Sequence, residues 1–281
     1  MQNKQKSKLK PGAKHYKAFV GPPAQYDIIG ASQFRLLCTL GLREHHKLLD
    51  LGCGSLRAGR LFISYLDKNC YYGIEPNKWL IKEAMNNQIG DDIIRIKKPS
   101  FSFNKNFNTE VFKIKFDFII AQSIFSHTGP DLLKKGLSNL YNSITNEGIV
   151  ALTFVETKDK NLEKHDNGWI YPDIYQYYTD TIIKFLDNSK FKYTKIPWYH
   201  PRQSWWLLSK TKGRLPNDQE TKLLSGAILT EEFKKSYLDI LDFNTKLLKV
   251  NRENEQLKNS LSWKITSPLR YIGKLLKTFR R

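Results

Sequence analysis

The chain has 281 residues, of which 40% are hydrophobic, and it carries a formal net charge of +19 at pH 7. A chain of this size and composition can form one large core, with or without an appendage. It contains no apolar run of about 18 residues and no apolar stretch behind its basic first residues, so we expect neither a membrane span nor a secretory signal, and we expect a cytoplasmic protein. The three cysteines, Cys38, Cys53 and Cys70, lack metal-binding spacing, and we expect free thiols and no metal site.

Positive charge is concentrated at both ends of the chain. Residues 1–17 contain six lysines and no acid, and residues 263–281 contain six cations and no acid. A charge excess of this size attracts phosphate-bearing partners whatever the fold, which leaves a nucleic acid and an anionic membrane surface as alternatives. We treat residues 1–20 as a basic N-terminal arm and residues 21–212 as the main domain.

Strand-like runs alternate with helix-like runs through the main domain, which is typical of a mostly parallel sheet with helices on both faces. The predicted strands are HKLLDLG, CYYGIEP, DIIRIKK, FDFIIAQS, GIVALTFVE, KYTKIPWY and SWWLLSK. Helices are predicted at 57–66, at 77–88, at 130–145 and within 173–188. Runs such as FDFII are apolar without alternation, as expected of strands buried on both faces. The sequence therefore predicts a doubly wound α/β fold with a mostly parallel, seven-stranded sheet.

The first predicted strand runs into a glycine-containing turn, DLGCGSLRAG. In a doubly wound sheet the ligand lies beyond the carboxyl ends of the strands, and the first strand-to-helix turn normally contacts it. Gly52 and Gly54 allow the backbone to bend tightly and to approach a ligand closely, beside the amides of the following helix. Arg57 stands where a dinucleotide-binding motif needs its third glycine, so the turn matches a dehydrogenase poorly.

A carboxylate marks the end of the second predicted strand. Glu75, in YYGIEPN, lies 21 residues after Gly54, where it can accept hydrogen bonds from both hydroxyls of a ribose. The turn and the acid together favour a nucleoside without a pyrophosphate. Through LLDLGCGSL and GIEPN the chain resembles the class I S-adenosylmethionine-dependent methyltransferases, over residues 26–209.

The resemblance implies that the chain binds S-adenosylmethionine through the glycine turn and through the ends of the second and fourth strands. The implied cofactor residues are Asp50, Gly52, Cys53, Gly54, Glu75, Pro76, Asn77, Gln122 and Ser123. The residues of the turn would surround the methionine part, and Glu75 would bind the ribose. A helix cap is an equally good interpretation of Asn77, and an ordinary loop role is an equally good interpretation of Ser123.

His127, in AQSIFSHTGPD, is the candidate catalytic residue. A neutral imidazole just after the fourth strand could accept the proton of an acceptor hydroxyl during methyl transfer. The neighbouring Ser, Thr, Pro and Asp residues are also typical of a helix entrance, so a capping or packing role is the alternative.

Two further segments are candidates for contact with the methyl acceptor. VGPPAQYDIIGASQFRLL could form a lid that carries Tyr26 and Gln33, and WYHPRQSWWLL carries His200, Arg202 and Gln203. The tryptophans of the second segment are expected in the core. After the fourth strand the chain has AQSIFS in place of the Asn/Asp-Pro-Pro-aromatic motif that methyltransferases acting on base amines usually show, which disfavours that acceptor.

Residues 213–262 are predicted to be helical, and from residue 231 onward apolar residues recur at spacings of three, four or seven, as in a short coiled coil. Asn254 lies at one seam position. A homodimer and a helix packed on its own domain are both compatible with this pattern. Residues 263–281 form a basic amphipathic pattern suited to an anionic membrane surface. SWKITSPLR also resembles tails of bacterial surface-polysaccharide enzymes.

Three functions follow from these observations. The preferred one is a methyltransferase, peripheral at the inner face of the cytoplasmic membrane, that O-methylates a sugar of a bacterial surface glycan or of its lipid-linked precursor. The alternatives are a nucleic-acid methyltransferase and a cofactor-binding scaffold without catalysis.

Overall fold

The computed structural model describes residues 9–163, 166–226, 249–250 and 252–266. The described residues up to 226 belong to one compact unit, and those from 249 onward belong to a second.

The strands of the first unit are β1 Leu48–Leu51, β2 Tyr71–Ile74, β3 Ser100–Ser102, β4 Phe116–Ala121, β5 Ile144–Thr157, β6 Gln176–Tyr178, β7 Lys192–Ile196 and β8 Ser204–Ser209. Within the described residues, seven of them form a sheet in the order β3-β2-β1-β4-β5-β8-β7, and β6 pairs beside β5. The pairs among β1 to β5 are parallel, whereas β8 runs antiparallel to both β5 and β7. The predicted doubly wound, mostly parallel sheet is confirmed, and its strand order reverses between the parallel neighbours β1 and β4.

The helices of the first unit are α1 Tyr16–Phe19, α2 Tyr26–Thr39, α3 Gly59–Tyr65, α4 Lys78–Ala84, α5 Asp91–Lys97, α6 Pro130–Ser143, α7 Thr179–Asp187 and α8 Asp218–Leu223. A π-helical turn, Met85–Ile89, continues α4. The helices predicted at 57–66, 77–88 and 130–145 are confirmed as α3, α4 and α6.

The core lies on both faces of the sheet because successive strand side chains point to opposite sides. In β4, Phe118 and Ile120 pack with residues of α2, α3 and α4. Ile119, which lies between them, packs on the other face with α6 and α7. Strands covered in this way read as continuous apolar runs, which is why the sequence predicted them correctly.

The prediction of a third strand at DIIRIKK, residues 92–98, is wrong. This run is helix α5, and the third strand is the three-residue β3 that follows it. Asp91 and Asp92 lie in the first turn of α5, and Arg95 and Lys97 lie in its last turn. Acids near the amino end and cations near the carboxyl end both stabilise a helix. Here this charge pattern outweighs the strand preference of the isoleucines.

The region predicted to hold a helix within 173–188 contains two elements. Residues Gln176–Tyr178 first pair with the end of β5 as β6, and α7 then begins at Thr179. The predicted helix is confirmed, whereas β6 was not predicted. Trp198, Trp205 and Trp206 are at most 5% exposed, so their predicted place in the core is confirmed as well.

In the second unit, residues 252–259 are helical and a short helix follows at Leu261–Ile265. Val250, Leu257 and Leu261, from the predicted coiled-coil pattern, are exposed. The rest of that pattern between 231 and 248, the tail from 267 onward and residues 1–8 of the basic arm lie outside the described residues. Among the described residues, no helix is both long and apolar enough to cross a membrane.

Candidate functional site

A cavity of about 990 Å³ opens where β1, β2 and β4 end. This volume lies at the upper end of the range for small-molecule sites. All nine cofactor residues predicted from the sequence line the cavity, and so do Gln33, His127, Arg202 and Gln203. Tyr26 and His200 do not. The fold therefore brings most of the predicted site residues to one place, at the edge of the sheet where ligands bind in folds of this kind.

The glycine turn is tied to the neighbouring strand. The backbone amides of Gly52 and Cys53 both donate to the carbonyl of Ile74, over 2.8 and 3.1 Å. Gly52 has a φ of +74° and Gly54 a φ of +53°, which side-chain-bearing residues rarely adopt. A Cβ atom at Gly52 would also lie 1.8 Å from the Cδ1 atom of Ile124. Both the backbone conformation and the close packing therefore require glycine.

Glu75 joins the glycine turn to the start of α4. Its Oε2 atom accepts from the amide of Gly54 at 3.1 Å, and its Oε1 atom accepts from the backbone amide and the side-chain Nδ2 of Asn77 at 2.8 and 2.7 Å. Burial raises the pKa of Glu75, and the three donors oppose that shift. Asn77 occupies the N-cap position of α4, as predicted, but its side chain donates to Glu75 and makes no capping bond to the helix.

Asp50 lies at the end of β1 and is 8% exposed. The hydroxyl of Tyr71 donates to its Oδ2 atom over 2.8 Å. Burial raises the pKa of Asp50 to about 7, against the opposing effects of this hydrogen bond and of the Arg57 charge. Tyr71 was not predicted as a site residue, since its hydroxyl reaches Asp50 only through the pairing of β1 with β2.

Arg57 also belongs to the site, although the sequence analysis named it only because it replaces the third glycine of a dinucleotide-binding motif. Its side chain lines the cavity, and its Nη1 atom donates to the carbonyl of Val20 over 3.1 Å. Burial lowers the pKa of Arg57 to about 10, so the guanidinium stays protonated at neutral pH. Val20 belongs to residues 11–21, several of which line the cavity, and we call residues 11–21 the N-terminal strap.

The acceptor role predicted for Tyr26 is wrong. Tyr26 begins α2, is 1% exposed and does not line the cavity. Its hydroxyl donates to the carbonyl of Ser55 at 2.8 Å and accepts from Gln88 at 2.8 Å, so it supports the glycine turn from behind. The predicted lid segment, residues 20–37, is mainly this core helix, and its residues Val20, Gly21 and Gln33 line the cavity. Val20 and Gly21 are also the last residues of the N-terminal strap, which lines the cavity from Pro11 onward.

The loop between β7 and β8 lies against the loop after β4. Gln203 donates from Nε2 to the hydroxyl of Ser123 over 2.8 Å, and the hydroxyl of Thr153 donates to its Oε1 atom. The backbone amide of Ser123 donates to Thr153 over 2.8 Å. Ser123 has a φ of +60°. This closed set of hydrogen bonds holds Ser123 in a conformation that a non-glycine residue seldom adopts.

His200 supports this loop from outside the cavity, so the acceptor role predicted for it is wrong. Its Nδ1 atom accepts from the backbone amides of Arg202 and Gln203 over 3.2 and 3.0 Å, and its Nε2 atom lies 3.1 Å from the side-chain amide of Gln122. Burial, together with the positive charges of Arg57 and Arg202, lowers the pKa of His200 to about 4. The ring is neutral at neutral pH and positions Gln122, which lines the cavity.

His127 is held in a defined tautomer. Its Nδ1 atom lies 2.6 Å from the backbone carbonyl of Asp173, and a carbonyl can only accept, so Nδ1 carries the proton and Nε2 keeps a lone pair. Burial is the main cause that lowers the pKa of His127, and the charge of Arg202 adds to it. The N-cap of α6 is Gly129, so the capping interpretation of His127 is wrong.

Two exposed aromatic residues complete the wall near His127. Trp169 and Tyr171 are 40% and 46% exposed and line the cavity. The indole Nε1 atom of Trp169 donates to the carbonyl of Lys105 over 2.8 Å, and the rings of Tyr171 and His127 lie 5.1 Å apart, edge to face. The sequence analysis missed both residues. The aromatic run GWIYPDIY in a polar loop was the signal that could have identified them.

The sheet order and the position of the cavity define the Rossmann-like fold of the class I methyltransferases. No protein-family model matches the sequence, and no curated protein matches it. Among solved structures, one similar fold is an S-adenosylmethionine-dependent methyltransferase from Clostridium acetobutylicum, at 15% identity and a TM-score of 0.50, over 66% of this chain and 93% of that one. Another is the glycopeptide N-methyltransferase MtfA, at 11% identity and a TM-score of 0.50, over 65% and 90%.

Proposed function

We propose that the chain is an S-adenosylmethionine-dependent methyltransferase that methylates a hydroxyl of a sugar, in a bacterial surface glycan or in its lipid-linked precursor. The observation that carries the proposal is one cavity that contains both the Glu75 carboxylate at the end of β2 and a neutral His127 with a free Nε2 lone pair. The Glu75 carboxylate can accept a hydrogen bond from the ribose of a nucleoside, and the Nε2 lone pair of His127 can accept the proton of an acceptor hydroxyl.

The residues present fit the proposed cofactor. Glu75 has acceptor capacity left for a ribose hydroxyl, because three donors occupy three of its roughly four acceptor sites. Asp50 and the glycine turn offer a carboxylate and close backbone approach at the methionine end. S-adenosylmethionine, when bound, supplies a methyl group already activated on a sulfonium. The protein then has mainly to orient the two reactants, which in favourable systems contributes roughly 7–11 kcal/mol.

His127 is the proposed general base. Its pKa lies below the ordinary value of 6.5, so the ring is neutral at neutral pH and its Nε2 lone pair can accept a hydroxyl proton. The carbonyl of Asp173 holds the tautomer during the reaction. After proton transfer the same hydrogen bond stabilises the imidazolium, since it joins a charged donor to a carbonyl.

The aromatic wall supports a sugar as the acceptor. Trp169 and Tyr171 line the cavity, and aromatic rings there can bury apolar area against the C–H face of a sugar ring. Asn104, Gln176 and Arg202 line the same cavity and can hydrogen-bond hydroxyls. Apolar walls with a few polar groups that fix orientation are the usual design of such sites.

The proposal includes a peripheral place at the inner face of the cytoplasmic membrane and a homodimer through the coiled coil. Both are supported by the sequence patterns of residues 231–261 and 263–281. Attachment to the membrane would bring the enzyme to lipid-linked acceptors.

The test is methyl transfer with purified full-length protein and S-adenosylmethionine labelled in the methyl group. The acceptors are lipid-linked saccharides and surface glycan from a strain that lacks the gene, and duplex and single-stranded nucleic acids are tested in parallel. We expect label in the glycan fraction, in an O-methyl sugar identified by mass spectrometry. Label in nucleic acid alone, or no label with any acceptor while the protein is folded, would contradict the proposal.

A further inference from the structure

The guanidinium of Arg57 has hydrogen-bonding capacity that the described chain does not use. Its Nη1 atom is engaged by Val20, but its Nε atom is buried and has no hydrogen-bond partner. Among the described residues, no carboxylate lies within salt-bridge distance of Arg57. A buried donor without a partner is costly, about 1–3 kcal/mol and more for a charged group, so this one calls for an explanation.

The charge of Arg57 is also poorly compensated. The nearby acid is Asp50, and that carboxyl has a pKa raised to about 7, so it is ionised only in part at neutral pH. Its Oδ2 atom is taken by Tyr71. A buried cation beside a half-neutral acid lacks the counter-charge that buried ions normally have. An anion that entered the cavity would provide it.

The position of Arg57 indicates which anion this is. Arg57 follows the glycine turn directly in the chain, lines the same cavity as Asp50, and is close enough for its charge to affect that carboxyl. In the proposed function this turn holds the methionine part of the cofactor, whose one anionic group is its α-carboxylate. A guanidinium is planar and donates in a fork, which matches a carboxylate.

We propose that Arg57 binds the α-carboxylate of S-adenosylmethionine. The inference rests on the proposed function, and it adds a residue that binds the methionine end of the cofactor. The hydrogen bond from Arg57 to Val20 holds the guanidinium in place before the ligand arrives, so little ordering is needed on binding. It also connects the carboxylate site to the N-terminal strap.

The experiment compares S-adenosylmethionine with its decarboxylated form, which keeps the adenosine, the sulfonium and the amine and lacks the carboxylate. Calorimetry measures the affinity of both for the wild type, for Arg57→Gln and for Arg60→Gln. Arg60 lies three residues further along the chain, in α3, does not line the cavity and pairs with Asp27, which makes it the matched control.

We expect the wild type to bind S-adenosylmethionine at least 10-fold more tightly than the decarboxylated form. Arg57→Gln should weaken binding of S-adenosylmethionine by about 10- to 100-fold and leave the decarboxylated form within about threefold, because only the first ligand has the carboxylate. Arg60→Gln should preserve the wild-type preference.

Equal losses for both ligands in Arg57→Gln would show a structural role and overturn the inference. Equal wild-type affinity for the two ligands would overturn it without any variant, so the test stands even if Arg57→Gln does not fold. If the folded wild type binds neither ligand, the proposed function itself is refuted.

Discussion

Replacing Glu75 by glutamine removes a negative charge from the site and keeps the shape of the side chain. A carboxylate has about four acceptor sites, and Gly54 and Asn77 occupy three of those on Glu75. One site is left for the cofactor, so Glu75 can bind one ribose hydroxyl, and binding of both would require the Asn77 side chain to move. The loss is then one charge-assisted hydrogen bond, about 1.5–3 kcal/mol. At about 1.4 kcal/mol per tenfold, we expect binding of S-adenosylmethionine to weaken about 10- to 150-fold.

Calorimetry on the wild type, on Glu75→Gln and on the control Glu44→Gln measures this effect. Glu44 is exposed and does not line the cavity, so its variant should bind like the wild type. Glutamine is preferred to alanine because its one oxygen can still accept from both donors of Asn77, while its Nε2 atom faces the amide of Gly54; alanine would leave all three donors without an acceptor. Melting curves establish that each variant is folded. A folded Glu75→Gln protein that binds within twofold of the wild type would refute the reasoning.

Four further outcomes are expected. His127→Ala should lower kcat by about 100-fold or more with unchanged cofactor affinity, and an unchanged kcat would assign His127 a packing role. The kcat/KM of the wild type should rise with pH and level off near neutrality, because the pKa of His127 lies below 6.5. The pKa of Asp50 is raised from 3.8 to about 7 in the folded state, so the wild type loses stability as pH rises from about 4 to about 7. The melting temperature of Asp50→Asn relative to wild type should increase over that range and level off above it; a constant difference would argue against the raised pKa. Gly30→Ala would place a Cβ atom 2.4 Å from the carbonyl oxygen of Arg57 and should lower the free energy of unfolding by about 1–3 kcal/mol. The control Gly213→Ala has open space around its new Cβ atom and should change the free energy of unfolding by less than about 0.5 kcal/mol; equal effects in denaturant unfolding would contradict the close helix packing. Removal of residues 263–281 should abolish flotation with anionic liposomes and leave methyl transfer to a soluble acceptor intact, since each cation contributes about 1 kcal/mol at such a surface; a full-length protein that does not float would exclude the membrane role.

The strands of the sheet were predictable where burial alone shapes the sequence. FDFII and IVALTFV are apolar throughout because both of their faces are covered, and this pattern can be recognised from the segment alone. Helix α5 was not predictable in the same way, since its isoleucines favour a strand locally. The charges at its two ends decide the outcome, and a window that counts only apolar residues does not include them.

The residues of the candidate site also differ in whether the local sequence could predict them. Asp50, Gly52 and Glu75 follow directly from strand ends, so their position at the cavity follows from the fold. Arg57 and Tyr71 depend on distances set by packing between elements, which local patterns do not contain. Tyr26 and His200 lie close to the site along the chain, but their side chains turn towards the protein, and side-chain direction is set by the packing of α2 and of the β7–β8 loop.

Because β8 runs against its neighbours, the short connection from β7 to β8 is a hairpin loop that ends at the ligand edge of the sheet. This loop, residues 197–203, is anchored on Ser123 and Thr153 and shares no residue with the stretch 50–77 that contains the turn and Glu75. In evolutionary terms the hairpin can change without any change in the stretch 50–77, as long as His200 and Gln203 still hold Gln122 and Ser123. In the proposed function, insertions or other substitutions in the hairpin would alter the acceptor side of the cavity and keep the turn and Glu75, so a transplanted hairpin is the natural starting point for redirecting this fold to a new acceptor.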